Sequence, residues 1–400
     1  MTDLFWPGDH RAGDLLSDAA FLAAMAGVES AWVGALVDVG VAPPSARMDF
    51  AAMVSSVDVE QLAEAAEADG SPVKALVALL RGRAGGEAAT WLHRGLTSQD
   101  VVDTALILCL RDALTRLRGE LSAQVRTLTG LAETHHSSAM TARTLTQPAL
   151  PSTIGVKIGN WLSGVLDAAD TLDALPALPA QAGGAAGTLA ATTELTGSPV
   201  DALAVSDALA CALDLAPALP WHTTRSVITR AGDALVGCCD AFAHIATDVA
   251  TASRPEIGEL SEGRGGGSST MPHKSNPVLS VLIRRAAMTA PALGAALHTA
   301  SAASVDERSD GGWQAEWATL RTLARRTVVA AAQTTDLLTG LRIDVERAAA
   351  NMAAAGDLRG EQKAMTELTG LAPRSEYLGA TEEIVRAVLQ RARHHLEETT

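Results

Sequence analysis

Apolar residues recur every third or fourth position through long stretches of this chain, the period of a helix with one buried face. Val101, Ala105, Leu108, Cys109 and Leu117 keep that spacing, and so do Ile228, Leu235, Phe242, Ile245 and Val249. Proline in a helix interior costs about 3 kcal/mol, so proline-free intervals mark where helices can run. Such intervals lie between Pro72 and Pro148, Pro220 and Pro255, and Pro291 and Pro373. They admit helices of about 30 residues, where globular proteins average about 11 to 12. Ser98 or Asp100 stands at the expected N-cap of the first of these helices.

Alanine is abundant, while isoleucine and aromatic residues are thin, so propensity agrees with the pattern and the predicted fold class is all-α. Small side chains let helix axes approach closely, which suggests an extended bundle of the kind that continues across a subunit interface. Proline and glycine cluster at Pro43–Pro44, Arg81–Gly86, Leu175–Gly187, Leu215–Pro220 and Glu259–Pro277. The chain accordingly divides into an N-terminal helical part (1–90), a central long-helix part (91–335) and a small helical C-terminal part (336–400). No internal repeat at a fixed period is present.

The composition narrows the function classes. The 400 residues are 48% hydrophobic and 19% charged, too apolar for a disordered chain. A net charge of −15 without any basic block argues against nucleic acid as a partner. No apolar run reaches the roughly 18 residues of a membrane span, and Asp3 and Asp9 lie where a signal peptide needs positive charge. A soluble cytoplasmic protein is therefore expected. Cys109, Cys211, Cys238 and Cys239 have no metal-ligand spacing and are expected to be buried thiols. Of 31 Lys plus Arg only Lys74, Lys157, Lys274 and Lys363 are lysine, so each has a claim to a specific role.

The densest glycine run is followed by chemistry: Gly265-Gly266-Gly267-Ser268-Ser269-Thr270-Met271-Pro272-His273-Lys274-Ser275-Asn276-Pro277. A plain linker has no need of Pro272, Lys274, Asn276 and Pro277 at fixed offsets. A lid ending in an anion clamp does, and the glycines would let it open and close. The phosphate-cradling GxxxxGK[ST] pattern is absent. Upstream, His93-Arg94-Gly95-Leu96-Thr97-Ser98-Gln99-Asp100 opens a predicted long helix. Its two hydroxyls and free N–H groups suit a carboxylate.

These residues resemble the fumarase/aspartase superfamily, whose members add or eliminate across a bond next to a carboxylate. GSSTMPHKSNP is similar to its GSSxMPxKxN signature and HRGLTSQD to its HxGxTSxD region. Arg143-Thr144-Leu145-Thr146-Gln147-Pro148-Ala149 is similar to its GRTHxQxA region, with Leu145 in place of a His linked to proton donation and Pro148 in a position that can supply no acid. Longer stretches, among them GGAAGTLA, PWHTTR and ERSDGGWQAEW, resemble the 3-carboxy-cis,cis-muconate cycloisomerase branch.

The resemblance implies a central helical bundle forming a tetramer core, with each site shared between subunits. It implies lactonisation of 3-carboxy-cis,cis-muconate in protocatechuate breakdown. The alternative is a lyase of the same superfamily that releases fumarate from a substituted succinate or an adenylosuccinate-type substrate. Ser268, Ser269, His93 and His222 are the expected catalytic residues, with Ser268 as the proton carrier. Thr97, Ser98, Thr144, Gln147, Met271, His273, Lys274, Asn276 and Arg308 are expected to hold a small tricarboxylate. A guanidinium at Arg308 suits bidentate carboxylate binding. Neither metal nor cofactor is expected.

Overall fold

A computed structural model of the chain describes residues 3–263, 265–267, 270–271 and 274–398 and is predominantly helical. The N-terminal stretch carries α1 (Asp18–Asp38), α2 (Val59–Asp69), α3 (Val73–Ala84) and α4 (Gly86–Trp91), followed by the long α5 (Ser98–Thr134). A hairpin of β1 (Ala139–Thr144) and β2 (Gln147–Thr153) leads into α6 (Ile154–Asp173), α7 (Ala190–Thr196), α8 (Pro199–Ala212) and α9 (Ser226–Ala252). Past β3 (Leu260–Ser261) come α10 (Val278–Ala302) and α11 (Gly312–Gly340). The chain ends with β4 (Arg342–Ile343), α12 (Val345–Ala354), α13 (Gly360–Thr369) and α14 (Thr381–Glu398).

The chain folds into two compact units, each assembled from three separated segments. The first comprises residues 1–116, 174–233 and 291–326, the second residues 117–173, 234–290 and 327–400. These units cut across the three consecutive parts expected from the sequence, and α5, α9, α10 and α11 each contribute residues to both.

In the first unit α1 is the keystone of the core. Met25, Val28, Trp32, Val33 and Leu36 pack with Leu76 and Leu80 of α3, Val101, Val102 and Ala105 of α5, and Val205 and Leu209 of α8. Each such side chain stabilises the fold by about 1.5–3 kcal/mol through burial. The first turns of α5 are enclosed on every side, so even Gln99, Asp100, Asp103 and Thr104 are fully buried. Arg225 at the start of α9 lies against Asp103 (2.7 Å) and Glu316 (2.6 Å), and the Trp313 indole N–H donates to Asp103 at 2.9 Å. Burial lowers the affinity of this guanidinium for its proton, but Asp103 and Glu316 outweigh that and hold its pKa above the ordinary value. Burial pushes the Glu316 carboxyl up despite Arg225 beside it.

In the second unit Leu117, Leu121, Val125, Leu128 and Ala132 continue the buried stripe of α5 at helical spacing. The α6 helix buries Ile158, Trp161, Leu162, Val165 and Leu166. The α14 helix packs on α6, where Arg391 bridges Asp167 and Asp170, both at 2.7 Å.

Three expectations need correction. Pro291 does not bound a helix but lies inside α10. Cys211 is exposed, whereas Cys109, Cys238 and Cys239 are buried. Burial pushes the Cys109 and Cys239 thiols up to about 12, so neither is a ready nucleophile. By length and composition α1 and α10 each could cross a bilayer, although 56% of the apolar window of α1 is buried in the fold.

Candidate functional site

The expected site residues of the first unit gather around the N-terminus of α5. Asp100, three residues into the capped turn, accepts four bonds. Its Oδ2 takes the Thr97 N–H (2.9 Å) and the Gly184 N–H (3.0 Å), and its Oδ1 takes the Gly183 N–H (2.9 Å) and His222 Nε2 (2.8 Å). One buried carboxylate therefore ties the signature segment, the GGAAG loop and the PWHTTR segment together. Gly183 must be glycine, because a Cβ there would lie 2.7 Å from the His222 ring. His222 is itself buried, and its Nδ1 has no hydrogen-bond partner.

The Arg308 guanidinium donates to the Thr97 hydroxyl and, at 3.1 Å, to the Ala185 carbonyl. Thr97 thus accepts through its oxygen and keeps its own hydroxyl proton free to point at an anion. Ser98 follows at the first turn of α5, half-buried like Thr97. Arg308 thereby fixes the Thr97 side chain and links it to the GGAAG loop.

His93 sits where the backbone turns into this segment, at φ 62, a left-handed conformation rare outside glycine. Its Nδ1 lies 2.6 Å from Glu29 Oε1, and Glu29 is wholly buried on α1. Trp32, one turn further along α1, donates its indole N–H to the Arg94 carbonyl at 2.6 Å. Nothing in the sequence pointed to Glu29. It reads as one polar residue in an apolar helix, and its partner is 64 residues away.

In the second unit Thr144 and Gln147 close the β1–β2 hairpin as its last cross-strand pair. The two residues of the turn, Leu145 (φ 49) and Thr146 (φ 72), both adopt left-handed backbone. That is the geometry of a tight hairpin turn normally built from Asn-Gly. Leu145 stands at the tip, 95% exposed, with Thr144 and Gln147 exposed beside it. Arg143 anchors the hairpin through a two-pronged contact to Glu259, with bonds of 2.6 and 2.9 Å, and Asn351 donates to the same carboxylate at 2.8 Å. A cleft of about 540 Å³ at the hairpin base is lined by Arg143, Lys157, Trp161, His244, Asp248 and Glu259. None of the expected site residues lines it.

Of the glycine-rich loop, Ser268, Ser269 and His273 lie outside the described residues. The loop's two ends are fastened. Gly266 and Asn276 exchange backbone hydrogen bonds of 2.8 Å in both directions. Glu262, buried just upstream, caps α10 by accepting from the Leu279 N–H (3.1 Å), the Ser280 N–H (2.7 Å) and the Ser280 hydroxyl (2.7 Å). Met271 and Lys274 are exposed on the loop, and the Lys274 N–H donates to the Met271 carbonyl at 3.0 Å. Gly263 is required by close approach, since a Cβ there would lie 2.3 Å from the Gly340 carbonyl oxygen. Gly267 has open space around it. The glycines therefore serve crossing backbone as well as freedom of movement.

A lyase family model matches residues 30–291. The chain is 41% identical to a nitrosuccinate lyase of Streptomyces davaonensis over 392 residues, 95% of this chain and 81% of that protein. It is 37% identical to a 3-carboxy-cis,cis-muconate cycloisomerase of Bradyrhizobium diazoefficiens over 347 residues, 84% of this chain and 75% of that one. The crystal structure of a 3-carboxy-cis,cis-muconate lactonizing enzyme from Pseudomonas putida superposes with a TM-score of 0.81 at 29% identity, covering 97% of this chain and 86% of the other.

Proposed function

The chain belongs to the lyase family of the fumarase/aspartase superfamily, and on that footing we propose that it expels a weakly basic anion from the carbon β to a carboxylate of a small C4 dianion. The favoured substrate is nitrosuccinate, split into fumarate and nitrite. The observation that carries the weakly basic leaving group is Leu145, at the exposed tip of the hairpin, where the superfamily pattern has a histidine tied to proton donation. An amine or alkoxide leaving group needs such an acid as the bond breaks. Nitrite leaves as a stable anion without one. The nitrosuccinate lyase relative, which matches 95% of this chain, supports the same choice.

In the proposed reaction a base removes a proton from the carbon between that carboxylate and the nitro-bearing carbon, charge builds on the same carboxylate as an enolate-like species, and the C–N bond then breaks to release nitrite and form the double bond of fumarate. In a site shared between subunits, as the superfamily resemblance implies, Thr97 with its hydroxyl proton free and Ser98 at a helix N-terminus would come from one copy and Lys274 with Asn276 from another to stabilise the enolate-like species. Thr144 and Gln147 would supply further donors. Ser268, whose base role comes from the family signature, would act as its alkoxide, taking the proton to become the neutral hydroxyl and returning it to solvent to restore the base. Ser269, Met271 and His273 would wall the anion as the loop closes, with His93 and His222 on the side of the signature segment.

A second reading, lactonisation of 3-carboxy-cis,cis-muconate, is supported by the Bradyrhizobium relative and the Pseudomonas putida structure. In reverse its leaving group is a carboxylate, also weakly basic, so Leu145 is compatible with it. The purified protein should be offered both compounds, with nitrite and fumarate measured for one and loss of diene absorbance for the other. Nitrite release without diene loss is the expected result. Diene loss alone would favour the second reading, and inertness towards both would sink the two together.

A further inference from the structure

We infer that Glu29 is a positioning residue for this site, holding His93 with Nδ1 as the inward N–H and leaving Nε2, the unprotonated nitrogen, on the site side as a proton or hydrogen-bond acceptor. The inference rests on the placement of His93 in the site proposed above. The ring nitrogen facing a carboxylate at 2.6 Å carries the proton, since an ionised carboxylate only accepts. With Nδ1 committed to the interior, Nε2 is the nitrogen left for chemistry, and the side chain keeps 19% of its exposure.

Two features set this pair apart from ordinary packing. His93 holds a left-handed backbone at φ 62, a conformation that strains a non-glycine residue. A turn alone would be made with less strain by glycine or asparagine, so the imidazole is what the position retains. Glu29 is fully buried, and its second oxygen, Oε2, has no hydrogen-bond partner among the described residues. A buried carboxylate left half unsatisfied is destabilising. Among the described residues its one side-chain partner is His93, and α1 also fixes the next residue of the segment through Trp32 and the Arg94 carbonyl. Helix α1 thus grips the backbone and the ring from the same face.

The test is a double-mutant cycle. Glu29→Gln preserves shape but can donate to Nδ1 and let the ring reverse its tautomer. It should lower kcat/KM about tenfold or more with little change in melting temperature. In a His93→Asn background the same exchange should cause no further loss. Equal losses in both backgrounds, or none in either, would overturn the inference. Imidazole ¹⁵N NMR of the neutral ring reads the arrangement without any substrate, with Nδ1 protonated and Nε2 bare as the expected pattern. The opposite tautomer refutes it. If neither compound named above is turned over, the functional reading fails while the NMR result still decides the role of Glu29.

Discussion

Exchanging Lys274 for methionine removes a positive charge from the loop while keeping most of the side chain's length. A charge-assisted hydrogen bond to an anion contributes about 1.5–3 kcal/mol, so Lys274→Met should lower kcat/KM by roughly 10- to 100-fold, mainly through KM. Steady-state kinetics on the accepted substrate checks this, and unchanged constants would remove Lys274 from the site. The glycines of the same region separate by what surrounds them. Gly263→Ala drives a methyl into the Gly340 carbonyl oxygen at 2.3 Å, whereas Gly267→Ala meets nothing within 4 Å. The first should cost stability in a thermal melt, and the second should leave the melt unmoved. Ser268, Lys274, Thr97 and Ser98 stand out as candidates in the sequence because each lies within a short contiguous motif. Glu29, Asp100 in its full role, and Glu259 were not, because their partners lie 64, 122 and 116 residues away.

Among the elements, α10 depends on a cap from outside itself. Glu262 satisfies two of its first free N–H groups and fastens one end of the loop, so Glu262→Ala should destabilise the protein by about 1–2 kcal/mol. Because the same carboxylate anchors the loop base, KM should rise as well. Urea unfolding together with kinetics separates the two effects, and a normal KM would confine Glu262 to the cap. The long helices were legible where apolar periodicity and flanking prolines agreed, as in α9 between Pro220 and Pro255. They were misread at Pro291, because an exposed position in a 25-residue helix absorbs the lost hydrogen bond. The β1–β2 hairpin escaped notice for the converse reason. Its strands contain Pro148 and Pro151, and its turn uses Leu145 and Thr146 where Asn-Gly would have announced it.

For the whole molecule, assembly is the first question. In the second unit α10 exposes Val281 by 54% and Met288 by 81%, more apolar surface than a solitary helix would leave to water. A tetramer is the expected state, with light scattering giving four times the 41.2 kDa chain mass. Met288→Asp should shift that mass downwards, and a monomeric parent protein would remove the basis for shared sites.

Acid stability provides a second measurement at this scale. The Arg83 guanidinium, at 2.6 Å, together with the Ser55 N–H, holds Asp58 down from 3.8 to about 2. A carboxyl depressed in the folded state stabilises it fully above its unfolded pKa, and that contribution is lost as pH falls through the folded one. The parent protein should therefore lose stability between about pH 4 and pH 2, and Asp58→Asn should flatten that slope in denaturant titrations. An identical slope in the variant would mean other carboxyls govern the acid limb.

The alternation of the two compact units along the chain bears on biosynthesis. A ribosome delivers residues in order, and the first unit lacks its third segment until residue 326 has emerged, by which time most of the second has been made. Domains contiguous in sequence can fold one after another during translation. Neither unit here can, so the nascent chain must carry unfinished apolar surface until the third segments have emerged, and no single contiguous stretch of the gene encodes either half on its own.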